Sequence, residues 1–396
     1  MEPGRRRSLR RRPNKIEKVL RDGNNDGYST PFLPNDMILE ILKRLPAKSL
    51  MRFKCVSKGW LNMILHPFLI ESHQNHARTR LDASHRLFAY DQCDKLLLSY
   101  HYHDHPDLLI HTIFSTKKNR EFQRISNIAN GLICVYIYDI GCRGKRSLWL
   151  INLATMQKRS LPIPSLCCSQ TSIYFLGFDS SSKNYKVLHF CHGKEYHHDY
   201  HCQVLTLGRR RWRRVVGPNP GKELVADEAM STDGRIYFKM GNKDLHVLPF
   251  FDLHTEKFEH LSVPEASIHR EGPVGWHYDD PYYYQDILEI RGKLGLIREL
   301  KVWILEETGW IEKSIILPNH VYNATTVGHE SNSKIILKSS QGISYYLYDL
   351  DTPECREAPG ITMHDFNFRN YLLGSNLSSD VCSTKFFNYI ENITTL

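Results

Sequence analysis

The sequence predicts an α+β chain in two unequal parts: a small N-terminal module of three helices, then a large, mainly antiparallel β domain of propeller-like architecture. Three observations lead there. Between Leu33 and about His73 the apolar residues follow a helical period. Beyond about residue 82 that period gives way to short strand-like runs bounded by Gly, Asn, Asp, Ser and Pro. Those runs hold a loose repeat whose unit, about 40–50 residues, is the size of a propeller blade. At that size, roughly 310 residues make about six or seven blades.

Residues 1–30 read as a disordered basic tail, because Asp22-Gly-Asn-Asn-Asp-Gly27 and its neighbours have almost nothing to bury. The helical module is expected over 31–75. Ile38, Ile41, Leu42 and Leu45 sit at i, i+3, i+4 and i+7 and form one stripe of an amphipathic helix. Pro34, Asn35 and Asp36 supply its start, and Pro46 stops it. A second helix takes Leu50, Met51 and Phe53; a third takes Trp60, Leu61, Ile64 and Leu65 and ends before Pro67. Three helices in about 40 residues bury too little surface to be stable alone, so the module expects company from its own chain or another protein.

The β domain is expected over 82–390. Its repeat is an apolar strand, an Asp-Leu or Asn-Leu step, a polar turn, then a Leu-Pro, Val-Pro or Ala-Pro close. It occurs as Leu148-Trp-Leu-Ile-Asn-Leu153 with Leu161-Pro162, and as Val247-Leu-Pro-Phe-Phe-Asp-Leu253 with Val263-Pro264. It returns as Val302-Trp-Ile-Leu-Glu306 with Leu317-Pro318, and as Tyr345-Tyr-Leu-Tyr-Asp-Leu350 with Ala358-Pro359.

Composition narrows the function classes. Hydrophobic residues at 41% and charged residues at 24% are ordinary for a globular chain, so the core can be large. The formal charge of +9 suggests a nucleic-acid binder until it is located: nine basic and two acidic residues between positions 1 and 21 account for +7 of it. The folded part is therefore nearly neutral. No apolar segment follows the N-terminal arginines and no run of about 18 apolar residues occurs, so neither a secretory signal nor a membrane span is expected. The ten cysteines show no disulfide spacing. An intracellular, cytoplasmic or nuclear protein is expected, with Arg5–Arg12 as a candidate nuclear import signal. No Walker loop, nucleophile elbow or cysteine in a catalytic setting is visible, so no catalytic residues and no cofactor are assigned.

The stretch from Leu33-Pro34 through Asp36, Glu40-Ile41-Leu42, Arg44-Leu45-Pro46, Lys48-Ser49-Leu50, Arg52-Phe53 and Val56-Ser57-Lys58 to Trp60, continuing into His66-Pro67-Phe68, closely resembles the F-box. Met37 stands where that family often has Leu. The resemblance implies docking on a Skp-type adaptor through Leu33, Pro34, Ile38, Ile41, Leu42, Leu45, Pro46, Leu50, Phe53, Val56 and Trp60, with Phe53 and Trp60 shared with the module's own core. Tyr174-Phe-Leu-Gly-Phe-Asp-Ser-Ser-Ser-Lys-Asn-Tyr-Lys-Val-Leu188, Asn130-Gly-Leu-Ile-Cys134 and Cys202-Gln-Val-Leu-Thr-Leu-Gly208 with Trp212-Arg213 are similar to plant F-box-associated domains. Together these imply a non-catalytic receptor of an SCF (Skp–cullin–F-box) ubiquitin ligase, partnered through the adaptor by cullin and RING subunits, with the β domain holding a protein target. The alternatives are an F-box scaffold acting outside a cullin ligase, and a nucleic-acid binder using the basic tail and Arg209–Arg214.

Three further constellations belong to the β domain. Trp276, Tyr278, Tyr282, Tyr283 and Tyr284 form an aromatic stretch that is either an anchor for a protein target or a buried loop between blades. His101, His103, His105 and His111, and Cys191, His192, His197, His198, His201 and Cys202, are rich in zinc-type ligands but lack the spacing of a zinc site, so no metal is assigned. Arg209-Arg-Arg-Trp-Arg-Arg214 sets an aromatic in a basic run. The family resemblance makes it a strand turn with Trp212 buried and the arginines in solvent.

Overall fold

The computed structural model describes residues 34–79, most of 85–357, 384–388 and 393–394. The expected disordered tail, the import signal and Leu33 lie outside the described residues. The chain divides into two compact units, one holding the N-terminal helices and Glu391–Thr395, the other spanning Leu81–Ile390.

The helical unit contains α1 (Asn35–Leu42), α2 (Ala47–Phe53), α3 (Lys58–Ile64) and α4 (Pro67–Thr79). Pro34 and Pro46 stand at the N-caps of α1 and α2, where neither donates to the helix. Ser57 caps α3 with its side-chain oxygen, which accepts from Trp60 N at 3.2 Å. The fourth helix corrects the expected three. Pro67 opens α4 instead of merely ending α3, because a missing N–H costs nothing at the first helical position. His66 helps by accepting from Phe68 N through Nδ1 at 3.2 Å. Helix α4 packs against α1 and α3 and buries Leu69 and His73. The His73 Nε2–H donates to Leu45 O at 2.9 Å, satisfying a carbonyl beyond the end of α1. Ile393, grouped with this unit, is fully buried.

The β unit contains six four-stranded antiparallel sheets among the described residues, each a blade of a propeller-like fold. Blade 1 pairs β1 (His85–Asp91), β2 (Leu96–Tyr102) and β3 (Leu109–Phe114) with the last strand, β24 (Thr384–Asn388). Strand β24 lies beside β1 with Phe88 opposite Phe387, so the two ends of the unit share one sheet. Blade 2 is β4 (Glu121–Ile125), β5 (Leu132–Asp139), β6 (Lys145–Asn152) and β7 (Lys158–Leu161). Blade 3 is β8 (Ile173–Asp179), β9 (Asn184–His192), β10 (Tyr200–Thr206) and β11 (Arg213–Arg214). Blade 4 is β12 (Leu224–Thr232), β13 (Arg235–Met240), β14 (Val247–Asp252) and β15 (Lys257–Ser262). Blade 5 is β16 (Asp286–Ile290), β17 (Lys293–Arg298), β18 (Lys301–Glu306) and β19 (Gly309–Ser314). Blade 6 is β20 (Ala324–Ser331), β21 (Lys334–Ser339), β22 (Tyr345–Asp349) and β23 (Glu354–Glu357). One edge strand from each blade lies beside that of the next, from β4 and β8 through β12, β16 and β20 to β24.

The sequence repeat has a physical basis in the third hairpin turn of a blade. Asn152, Asp252 and Asp349 end strands β6, β14 and β22, and each side-chain oxygen accepts from the N–H two residues on, at 2.9 Å. The Leu that follows is buried in each case, and its N–H crosses to Gly131, Gly234 or Ser333 O at 2.9–3.0 Å. Met156 and Glu256, four residues after the turn's Asn152 and Asp252, have positive φ of 57°. The two-residue turns Asn130-Gly131, Asp233-Gly234 and Arg291-Gly292 have positive φ at both positions, the signature of a type I′ hairpin.

Between blades, apolar packing is locked by hydrogen bonds. Phe175, Phe190, Phe238 and Phe251 from blades 3 and 4 form one buried aromatic cluster. Asn127 of blade 2 exchanges two bonds with Leu176 of blade 3, at 2.8 and 2.9 Å. Trp212 Nε1–H donates to Pro162 O at 2.8 Å, and Trp310 Nε1–H donates to Ser262 O at 3.0 Å. Pro162 belongs to the Leu-Pro close of blade 2, and Ser262 immediately precedes the Val-Pro close of blade 4.

Candidate functional site

The helical unit leaves several large apolar side chains in water. Met37 and Ile41 stand one turn apart on α1 and are 53% and 49% exposed. Val56, in the link from α2 to α3, is 64% exposed, and Phe68, at the start of α4, is 49% exposed. Leu65 adds to this set. The helices carrying them are ordered from within: Leu42, Ala47, Leu50, Ile64 and Leu69 are buried, and Phe53 and Trp60 pack ring against ring at 5.4 Å. Around the apolar residues of α1 the charge is organised locally. Glu40 reaches Lys43 at 2.6 Å and Arg44 at 3.4 Å, and the Lys43 hydrogen bond holds its carboxyl below the usual range.

The described residues named for adaptor docking therefore fall into three groups. Pro34, Ile41, Pro46 and Val56 are exposed, while Ile38, Leu45, Phe53 and Trp60 are half-buried. Leu42 and Leu50 are interior, at 1% and 0% exposure. Met37, Leu65 and Phe68 were not among those residues. Met37 is readable as the i−4 neighbour of Ile41, and Leu65 and Phe68 as apolar residues flanking His66-Pro67.

In the β unit, the segment Gly177-Phe-Asp179 to Tyr185-Lys-Val187 builds a buried ion cluster. Asp179 accepts from Ser181 N at 3.0 Å and from the Ser182 hydroxyl at 2.7 Å. Lys186 Nζ lies 3.3 Å from Asp179 and 2.9 Å from Glu256, and also donates to Leu253 O in blade 4. Burial pushes the Asp179 carboxyl up, but the Ser182 hydrogen bonds and Lys186 outweigh it and hold it below the usual range. Glu256 follows the same pattern, with Arg213 and Lys186 overcoming burial. Gly177 is required by the same contact: a methyl there would come within 2.6 Å of Leu253 Cδ1 and 3.0 Å of Ile236 Cγ1.

The remaining constellations are placed as follows. Trp212 is partly buried against Tyr174 and His189, and Arg209, Arg210, Arg211, Arg213 and Arg214 are exposed. Trp276, Tyr278, Tyr282, Tyr283 and Tyr284 lie outside the described residues. So do the side chains of His101, His103, His105, His111, His192, His197 and His198. Cys191 and Cys202 are buried, and burial pushes the Cys202 thiol up. Among the described residues no group of three or more His, Cys, Asp or Glu could hold a metal ion. Among them, too, no helix is long and apolar enough to cross a membrane.

The comparisons with known proteins agree with this division. The family model of the F-box domain matches residues 31–71, and that of the F-box associated beta propeller domain matches residues 85–382. An F-box protein of Arabidopsis thaliana is 26% identical over 398 residues, covering 88% of this chain and 90% of the relative. A second Arabidopsis F-box protein is 25% identical over 397 residues, covering 91% of each. Among solved structures, a chain of a nidogen/laminin complex aligns with a TM-score of 0.42 at 11% identity, over 78% of this chain and 99% of that one. F-box domains in general bind Skp-type adaptors, and the two matched domains support a substrate-adaptor role in general terms. The chain belongs to the F-box proteins that carry an F-box-associated β-propeller domain.

Proposed function

We propose that this protein is the substrate-recognition subunit of an SCF ubiquitin ligase. The helical unit docks on a Skp-type adaptor, which brings cullin and RING subunits, while the β unit recruits a protein target. The observation that carries this reading is the set of half-exposed apolar residues Met37, Ile41, Val56, Leu65 and Phe68 on a unit otherwise well packed inside. Fully burying such a side chain contributes about 1.5–3 kcal/mol, so a few of them suffice for a stable complex. Pro34, Ile38, Leu45 and Pro46 extend the docking face. Leu42, Leu50, Phe53 and Trp60 serve it from behind by fixing the helices.

The chain itself performs no chemistry in this account. Its contribution is proximity: a bound target is held near a charged conjugating enzyme, which raises the effective concentration of its lysines. Reconstitution tests this. Purified chain, adaptor, cullin and RING subunits should elute as one complex that, given activating enzyme, conjugating enzyme, ubiquitin and ATP, discharges ubiquitin from the conjugating-enzyme thioester onto lysine. A folded chain that elutes apart from the adaptor contradicts the proposal. A chain that binds adaptor but excludes cullin makes it a scaffold outside the ligase.

A further inference from the structure

The turn between β10 and β11 places Arg209, Arg210 and Arg211 along a cleft of about 790 Å3 between blades 3 and 4. Lys186, Arg213 and Glu256 also line it. These inner groups are already matched in charge. Lys186 lies between Asp179 and Glu256, and Arg213 donates to both oxygens of Glu256 at 2.7 and 2.8 Å. Two cations thus face two carboxylates. Arg209, Arg210 and Arg211 form no ion pair with a carboxylate among the described residues, so the cleft presents three surplus positive charges above a neutral base. Ser182, Asn184 and Thr206 on its walls add hydroxyl and amide groups.

Guanidinium groups bind carboxylate and phosphate through paired N–H donors, and an ordered, pre-neutralised base leaves those donors for a ligand. The aromatic in this basic run is not available to a nucleic acid. Trp212 spends its N–H on Pro162 and lies against Tyr174 and His189, whereas sequence-tolerant binding of single strands needs exposed rings for bases to stack on. We propose that this cleft seats a segment of the protein target bearing clustered oxyanions, carboxylate or phosphate. The proposal rests on the reading of the β unit as the target-recruiting part.

Fluorescence anisotropy on the purified full chain tests it. The probes are a labelled peptide with a glutamate run, the same peptide with phosphoserines replacing the glutamates, its glutamine version, and a single-stranded oligonucleotide of equal charge. The expected result is that at least one anionic peptide binds, the glutamine peptide does not, and Arg209→Gln/Arg210→Gln/Arg211→Gln weakens binding at least tenfold. Arg214→Gln, exposed but outside the cleft, should bind like wild type. Binding of the phosphopeptide alone makes phosphate the recognised group; binding of both makes carboxylate sufficient. The proposal fails if neither anionic peptide binds, if the triple variant binds as well as wild type, or if the oligonucleotide binds tighter than both peptides. Adaptor capture in the same preparation separates the two readings. Capture without peptide binding removes only the cleft, and peptide binding without capture removes only the ligase receptor.

Discussion

In the helical unit Met37, Ile41, Val56 and Phe68 stand about half in water, whereas in the β unit Phe175, Phe190, Phe238 and Phe251 are sealed at 0% exposure. The polar groups differ too. The β unit ties its buried ones across blades, as in Asn127 with Leu176 and Lys186 with Asp179, Glu256 and Leu253. The helical unit has short helices and mostly local bonds, such as the Ser57 cap and the Glu40 pairs, with the His73 bond to Leu45 O as its longer tie. The contrast separates two kinds of motif. The Gly177-Phe-Asp179 to Tyr185-Lys-Val187 segment is a fastening between blades. The Pro34-to-Phe68 segment leaves apolar side chains in water.

If that division is right, stability and adaptor binding should come apart under mutation. The largest effect is expected from Phe251→Ala, which empties the aromatic cluster and should cost about 3–5 kcal/mol in denaturant unfolding of the β unit. Adaptor capture by the still-folded helical unit should persist. Lys186→Met strands the buried Asp179 carboxylate and should cost roughly 3 kcal/mol, while Arg213→Met, at the exposed end of the cluster, should cost under about 1 kcal/mol. Equal losses for the two would mean the cluster is not held by its buried end. Gly177→Ala should cost about 1–3 kcal/mol by forcing blades 3 and 4 apart, read as a lowered melting temperature.

A pH titration sharpens the same contrast. Burial holds the His189 imidazole down at about 3, with Gln203 pulling the other way, against an ordinary value of 6.5. The unfolded chain therefore binds the extra proton between those values. Stability should be whole above about pH 6.5 and fall as acid is added, by up to about 1.4 kcal/mol per pH unit. His189→Phe should flatten the slope between pH 6.5 and 5, and an unchanged slope would locate the titrating group elsewhere. A comparably small effect is expected from Ser57→Ala, which removes the α3 cap and should cost about 1 kcal/mol in the helical unit alone.

Much of the fold was legible because its signals are local. The i, i+3, i+4, i+7 stripe marked α1, and the Asn-Leu and Asp-Leu steps marked turns whose side chains cap the chain two residues on. Outer strands such as β7 (Lys158–Leu161), β15 (Lys257–Ser262) and β23 (Glu354–Glu357) escaped notice because they are charged edges with few residues to bury. Helix α4 escaped because a proline reads equally as a stop and as a first residue. The pairing of β24 with β1 could not be read at all, since nearly the whole β unit separates them in sequence. At the candidate site, periodicity identified the stripe but not its division. Leu42 and Ile41 are adjacent in sequence, yet one is interior and the other exposed, which depends on where α4 packs.

The most direct test is the adaptor affinity of Met37→Lys/Ile41→Lys beside wild type, by calorimetric titration of purified Skp-type adaptor. Both side chains stand about half in water and lysine is a good helix former, so the variant should fold as wild type does. The account predicts tight binding by wild type and a loss of at least about a hundredfold in the variant, the effect of removing roughly 3 kcal/mol of apolar contact. Unchanged affinity in the variant, or no binding by a folded wild type, would contradict it.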